Sequence, residues 1–365
     1  MLQVIIRADA ALSLGTGHVM RCRTLANALR RSLDADILFV CRAFDGHLAG
    51  MLEQDGYRVA LLPASATPAA GNTDYASWLG ASIEDDVTAT RAAVTAFRQP
   101  GSTLLLITDH YGIDARWQQR LRTAVDLVLA IDDLADRSLD CDLLLDTTYG
   151  RQPGDYQGHV PASARLLVGS QYALLRDEFN LSASTVRNER RQPHKRQRLL
   201  VMLGGSDPDN LTLAILQLLA GQDYQVTAVV GPTMPHWQSV AAWCDARPHF
   251  TFARAPDDIA RLMLAHDMAI AAAGSTSWER CACGLPSLIV IQAENQLQVA
   301  SAIAAAGAAK VLHLPLSATA IESGLALWRD DDDAWQAAVQ ACLDICDGNG
   351  TQRVVEAIRQ RLASS

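Results

Sequence analysis

The sequence has no run approaching the roughly 20 consecutive apolar residues that a membrane-spanning helix needs. It opens MLQVIIRADAALSLGTGH, without the basic, apolar and small-residue order of a cleaved leader. A soluble, cytoplasmic protein with no membrane insertion is the expectation. Basic charge is not in excess either: Lys plus Arg number 31 against 40 for Asp plus Glu, a formal net charge of -9. That balance argues against broad binding to nucleic acid or anionic lipid, so any anionic ligand must be held locally. The eight cysteines include no Cys-x-x-Cys pair and no dense framework of the kind small secreted domains use, so they read as reduced thiols, mostly small core residues. Cys281 and Cys283 lie two apart on one predicted helix and point to different sides. With no His-Glu-x-x-His or paired Cys/His motif, no metal and no cofactor is expected. Internal repeats of 20 to 50 residues and low-complexity tracts are also missing.

What is present is apolar material in a particular rhythm. The chain of 365 residues is 49% hydrophobic, more than one compact core usually holds and about right for two α/β halves. Short apolar runs alternate with amphipathic segments, the pattern of βα units around parallel sheets. Strands are expected at 2–7, 35–41, 58–62, 104–108, 127–132 and 143–145, and again at 198–203, 225–230, 250–253, 268–272, 287–291 and 309–312. A helix over 18–32 places Met20, Leu25, Ala28 and Leu29 near one face, as suits a helix lying on a sheet. The predicted domains are 1–165 and 166–365. Near their junction, residues 187–198 (RNERRQPHKRQR) hold six Lys or Arg in twelve positions, which predicts an exposed loop, or more sharply a basic patch at the mouth of an interdomain cleft. The acidic run 330–333 reads as an exposed helix start rather than a metal cluster.

Candidate functional residues gather where predicted strands end. Gly15, Gly17 and His18 follow the first strand and open a helix, so backbone N–H groups there can face a ligand. The spacing lacks the third glycine of a dinucleotide fingerprint. His18 has the residue chemistry for proton transfer near neutral pH, or it simply bonds a neighbouring loop. Arg7 and Asp9 lie at the same sheet edge and either orient His18, contact a polar ligand or pair with each other. Asp109 and Tyr111 end another strand of the same half and should face the same crevice, whereas His110 is expected to be structural. In the second half Gly204 and Ser206 close one strand and Gly274, Ser275 and Thr276 close another, offering backbone donors to phosphate oxygens. Glu279 lies one turn on, either accepting ribose hydroxyl bonds or completing a capping box with Ser275 or Thr276. Asn295 and Gln296 supply amide donors after the next strand, or cap the helix that follows. The stretch from Gly274 to Trp278 is not the Gly-x-Ser-x-Gly of a serine nucleophile.

Five segments in order, RADAALSLGTGHVMRCRTLANAL (7–29), IDDLADRSLDCDLLLD, YALLRDEF, GGSDPDN and AGSTSWERCACGLPSLIVIQAENQ, resemble the nucleotide-sugar hydrolases of pseudaminic acid synthesis. Those enzymes remove UDP from UDP-2,4-diacetamido-2,4,6-trideoxy-β-L-altropyranose. The resemblance covers most of the chain. It implies a GT-B architecture, two Rossmann-like domains with parallel sheets facing across a deep cleft, similar to the glycosyltransferase of peptidoglycan precursor synthesis. It also implies inverting, metal-free hydrolysis at the anomeric carbon, with His18 activating water. The second domain would hold UDP through a region matched by Gly274, Ser275, Glu279, Asn295 and Gln296. Many relatives carry Asn after the CDLLL run where this chain has Asp146. Surplus length near 64–73 and 183–198 reads as loops. Two other functions fit the same fold, a glycosyltransferase using a related UDP-sugar donor and a non-catalytic UDP-sugar-binding protein. The oligomeric state is not legible.

Overall fold

The computed structural model describes residues 1–64, 75–181, 183–190, 196–205, 207–232, 234–292 and 296–364. The chain divides into two units, Met1–Leu174 with Gly350–Ser365, and Leu175–Asn349. The expected boundary after 165 would cut through a four-residue strand, and the expected second domain loses its last helix to the first unit.

The first unit carries β1 (Leu2–Ala8), α1 (Gly17–Leu33), β2 (Asp36–Arg42), α2 (Ala49–Gln54), β3 (Arg58–Leu62), α3 (Ile83–Phe97), β4 (Thr103–Asp109), α4 (Ala115–Leu121), β5 (Leu127–Ile131), β6 (Leu143–Asp146) and β7 (Arg165–Val168). All pairings are parallel, in the order β3-β2-β1-β4-β5-β6-β7. Side chains alternate faces along a strand, and both faces are covered. Val4, Ile6 and Ala8 join a core with Val19, Cys22, Leu25 and Leu29 of α1, while Ile5 packs on the other side with Val87 and Val94 of α3 and Trp117 of α4. Burying a residue such as Leu25 in full contributes roughly 1.5–3 kcal/mol.

The second unit repeats the plan: α5 (Ala183–Arg190), β8 (Arg198–Met202), α6 (Leu211–Leu219), β9 (Gln225–Val230), α7 (Trp237–Asp245), β10 (Phe250–Arg254), α8 (Ile259–Leu264), β11 (Met268–Ala272), α9 (Thr276–Ala282), β12 (Ser287–Val290), α10 (Leu297–Ala305), β13 (Ala309–Leu312), α11 (Ala318–Asp330) and α12 (Asp332–Ile345). Its sheet is also parallel, in the order β10-β9-β8-β11-β12-β13. The last helix, α13 (Gly350–Ala363), returns to the first unit, where Val354, Val355, Ala357 and Ile358 enter the core beside α1. The acidic run contains the helix start read from sequence, the Asp331 side chain accepting from Ala334 N at the start of α12, and its first residue, Asp330, ends α11.

Two expectations need correction. β7 was not foreseen, because RLLV is too short to stand out from a loop. The basic segment is not wholly a loop: 187–190 is the last turn of α5, and Arg190 is buried, donating to the carbonyls of Met263, His266 and Cys283. A guanidinium packs in a core when its fork meets carbonyl oxygens. Arg187 donates to Gln340 and Arg198 pairs with Asp267 at 2.6 Å, so these cations are engaged within the fold; residues 191–195 lie outside the described residues. No described helix is long and apolar enough to cross a membrane.

Candidate functional site

In an open parallel sheet, ligands bind at the carboxyl ends of the strands where the strand order reverses. In the first unit that place lies between β1 and β4, whose last paired residues are Ala8 and Asp109. His18 stands in the first turn of α1, which follows β1, and Arg21 lies three residues later on the same helix face. The Asp109 carboxylate, wholly buried, takes His18 Nδ1 at 2.6 Å and Arg21 Nε and Nη2 at 2.6 Å each. Cys22 Sγ adds a longer contact at 3.4 Å. Burial alone would raise the Asp109 pKa, but the charges of Arg21 and His18 and their hydrogen bonds outweigh it and hold the carboxyl well below the usual range. An ionised acceptor at Oδ1 requires a proton on His18 Nδ1, which leaves Nε2 as the basic nitrogen. Arg21 Nη1 also reaches Asp133 Oδ2 at 3.0 Å. One arginine is thereby set between two carboxylates, Asp109 and Asp133. Tyr111 closes the group, its ring edge-on to His18 with centroids 4.7 Å apart. Burial, and then the nearby Asp133 charge, raise the Tyr111 pKa, so its hydroxyl stays protonated.

In the second unit the corresponding reversal lies between β8 and β11. Gly204 and Gly205 after β8, and Gly274 and Ser275 after β11, are exposed. A Cβ on Gly231 would meet Gly205 O at 2.4 Å, so only a glycine at the end of β9 admits this loop. The loop before α9 is braced from beneath by Arg280, which is buried and donates to Ala272 O, Thr276 Oγ1, Ser277 Oγ and Ser287 Oγ. Burial pulls that guanidinium below the usual arginine value, and its acceptors are neutral oxygens. Ser275 makes no side-chain cap bond and Thr276 Oγ1 accepts from Arg280, so neither supplies the cap of the capping-box alternative. Glu279 instead lies 3.5 Å from Arg176, with its pKa raised by burial against the pull of that cation.

No family model matches the chain. Over 220 residues it is 28% identical to the spore coat polysaccharide biosynthesis protein SpsG of Bacillus subtilis, spanning 58% of this chain and 62% of that protein. Over 216 residues it is 26% identical to the UDP-2,4-diacetamido-2,4,6-trideoxy-β-L-altropyranose hydrolase of Campylobacter jejuni, spanning 59% of this chain and 64% of that one. These matches therefore span less than two thirds of either relative. Among solved structures, MurG of Acinetobacter baumannii superposes with a TM-score of 0.68 at 15% identity, covering 99% of this chain and 100% of MurG. The calicheamicin glycosyltransferase CalG4 does so at 0.66 and 14%, covering 99% and 98%. The UDP-GlcNAc 2-epimerase of Neisseria meningitidis, solved with UDP-GlcNAc bound, gives 0.62 and 11%, covering 99% and 100%. The fold is GT-B: two Rossmann-like units with parallel sheets.

Against this geometry, the expected residues separate clearly. His18, Asp109 and Tyr111 come together in the first unit, with Gly15 exposed in the loop before α1 and Gly17 exposed as the first residue of that helix. Arg7 and Asp9 do not serve as substrate contacts. Both are buried, Arg7 pairing with Asp9 at 2.6 Å and with Asp86 at 2.7 Å, in a network that Arg42 joins through Asp86. His110 is structural: its Nδ1 accepts from Gly112 N at 2.9 Å, and its Nε2 lies 3.2 Å from Asp9. Asp146 is structural too, buried and held by Arg151, Thr148 N and the Tyr156 hydroxyl. In the second unit Gly204, Gly274 and Ser275 sit on the strand-end loops described above, and Thr276 and Glu279 lie in the first turn of α9. Gln296 turns back to accept from Gln292 N at 2.9 Å. Ser206 and Asn295 lie outside the described residues. Arg21 and Asp133 were not singled out from sequence. The i, i+3 spacing from His18 signals the first, and the strand-end position after β5 signals the second. Among the described residues no group of three or more His, Cys, Asp or Glu side chains is disposed to hold a metal ion.

Proposed function

We propose that the protein is a nucleotide-sugar hydrolase that releases UDP from UDP-2,4-diacetamido-2,4,6-trideoxy-β-L-altropyranose by inverting attack of water at C1. The observation that carries this reading is the His18–Asp109 contact: the proton on Nδ1 is committed to an ionised carboxylate, and Nε2 is left to take a proton from water. The attacking oxygen forms a bond to C1 as the C1–O bond to the diphosphate breaks. The water proton passes to His18 Nε2 and the electron pair leaves with UDP. Asp109 and Asp133 stabilise the imidazolium formed. Inversion needs one displacement, so the enzyme requires no covalent nucleophile. In the second unit the backbone donors around Gly204 and Gly274 hold the diphosphate, and Glu279 accepts from the ribose hydroxyls. The 26% identity to a hydrolase of this name supports the reading.

A second reading has its own support, since MurG and CalG4 have the same fold: a glycosyltransferase that admits an acceptor hydroxyl in place of water. One experiment separates the two and locates the bond. The protein is incubated with the UDP-sugar in ¹⁸O-labelled water without acceptor and quenched before the anomeric oxygen exchanges. Steady UDP release with label on sugar C1 and none in UDP is the expected result. Label in UDP would move the attack to phosphorus. Release that begins only when an acceptor is supplied would establish the transferase.

A further inference from the structure

The 3₁₀ turn Tyr75–Leu79 brings two more aromatic rings to the group around His18. Tyr75 and Trp78 lie edge-to-face with centroids 5.1 Å apart, and both reach Tyr111, at 5.0 and 5.4 Å. Tyr111 in turn touches His18. In a chain with only 5% aromatic residues, three rings therefore form one wall ending at the basic histidine. None of the three is fully buried, so each keeps surface for a ligand.

The wall is fixed in place from behind. Leu79 is buried in the core with Val87, Ile113 and Trp117. Gly112 sits against the turn so closely that a Cβ there would lie 2.7 Å from Tyr75 O and 3.1 Å from Leu79 Cγ. A glycine directly after Tyr111 is what lets the turn close on the end of β4. The polar work of the site is done by Asp109, Arg21 and Asp133, which leaves the rings to recognise something apolar.

Resting on the hydrolase reading, we infer that Tyr75, Trp78 and Tyr111 form the sugar-selecting surface. It favours hexoses with apolar substituents, a deoxy C6 methyl and N-acyl methyls, over fully hydroxylated ones. Methyl groups leave water when they meet the ring faces, whereas a hydroxyl placed there loses its hydration without a partner. Tyr75 and Trp78 act on binding and selectivity, and His18 acts on the bond.

Calorimetry tests this on the full-length protein carrying His18→Gln, so that substrate is not consumed. Dissociation constants are measured for UDP, for UDP-2,4-diacetamido-2,4,6-trideoxy-β-L-altropyranose and for UDP-GlcNAc, with and without Trp78→Ala or Tyr75→Ala. Adding either substitution should reduce the sugar's contribution, the ratio of the UDP to the UDP-sugar constant, by about tenfold. UDP affinity itself should not change, and the preference over UDP-GlcNAc should narrow. Trp78→Leu and Gly112→Ala give the same ratio a second route if Trp78→Ala does not fold, the latter by displacing the turn. An unchanged ratio in folded variants overturns the inference, as does a parent protein in which the sugar adds nothing to UDP affinity. The hydrolase reading is judged separately, by UDP release from the same sugar with His18 intact. A chain that binds the sugar through these rings but releases no UDP would overturn that reading and leave the selecting surface standing.

Discussion

The His18 imidazole is prepared for its proposed role by a carboxylate that never meets water. Asp109 accepts from His18 and twice from Arg21, so its charge, position and the histidine tautomer are set together. Asp109→Asn keeps the shape and removes the charge, and an amide nitrogen facing Nδ1 selects the wrong tautomer. Turnover should fall by roughly 10² or more, the usual scale for losing a general base, while calorimetric UDP affinity stays within a few fold. Near-normal turnover in folded protein would remove Asp109 from the mechanism. At this scale the sequence was only partly legible. Position after a strand says which edge of the sheet a side chain occupies, and that located His18, Asp109 and Tyr111. It does not say which side chains remain accessible, and Arg7 and Asp9 failed there, because Asp86, 79 residues along the chain, claims the Arg7 guanidinium.

Helix α3 is held to the first sheet by that same Asp86, which takes Arg7, Arg42 and, at 2.9 Å, the Trp117 indole N–H. Burial would raise its pKa, but the two arginines outweigh burial and bring it down to about 2. A carboxylate whose folded pKa lies below the unfolded value of about 3.9 contributes its full stabilisation above that value and loses it as pH falls through the folded one. The contribution is on the order of 2 kcal/mol, and the loss should run from about pH 4 to about pH 2. Asp86→Asn leaves Arg42 without its carboxylate and Arg7 with Asp9 alone, and should cost about 3–5 kcal/mol at pH 7. Its deficit relative to the parent should shrink at pH 3, measured by denaturant unfolding at both values. A deficit that stays constant with pH would show that Asp86 is not ionised in the folded protein. The strands were legible at this scale because buried parallel strands read as continuous apolar runs. The fate of Arg190 was not, because its acceptors are carbonyls of α8, of the segment just after it and of the residue that follows α9, which no local pattern announces.

Across the whole molecule, proton transfer and nucleotide binding are assigned to different units, so substitutions should split by unit. Glu279→Ala should weaken UDP by about 1–3 kcal/mol, since ribose hydroxyls lose a charged acceptor, and unchanged affinity would leave Glu279 only its contact with Arg176. Asp109→Asn should show the opposite pattern, and the pair together tests the division of labour. The sequence by itself determined two parallel-sheet units, the strands that build them apart from β7, and the strand-end loops where chemistry collects. These follow from local periodicity and from the rule that a twisted parallel sheet opens at its carboxyl edge. Tertiary structure alone decided that α13 completes the first unit's core, that Arg21 and Asp133 belong with His18, and that Tyr75 and Trp78 stand beside Tyr111. Each of those depends on a contact between residues far apart in the chain, and a linear pattern carries only the spacing of neighbours.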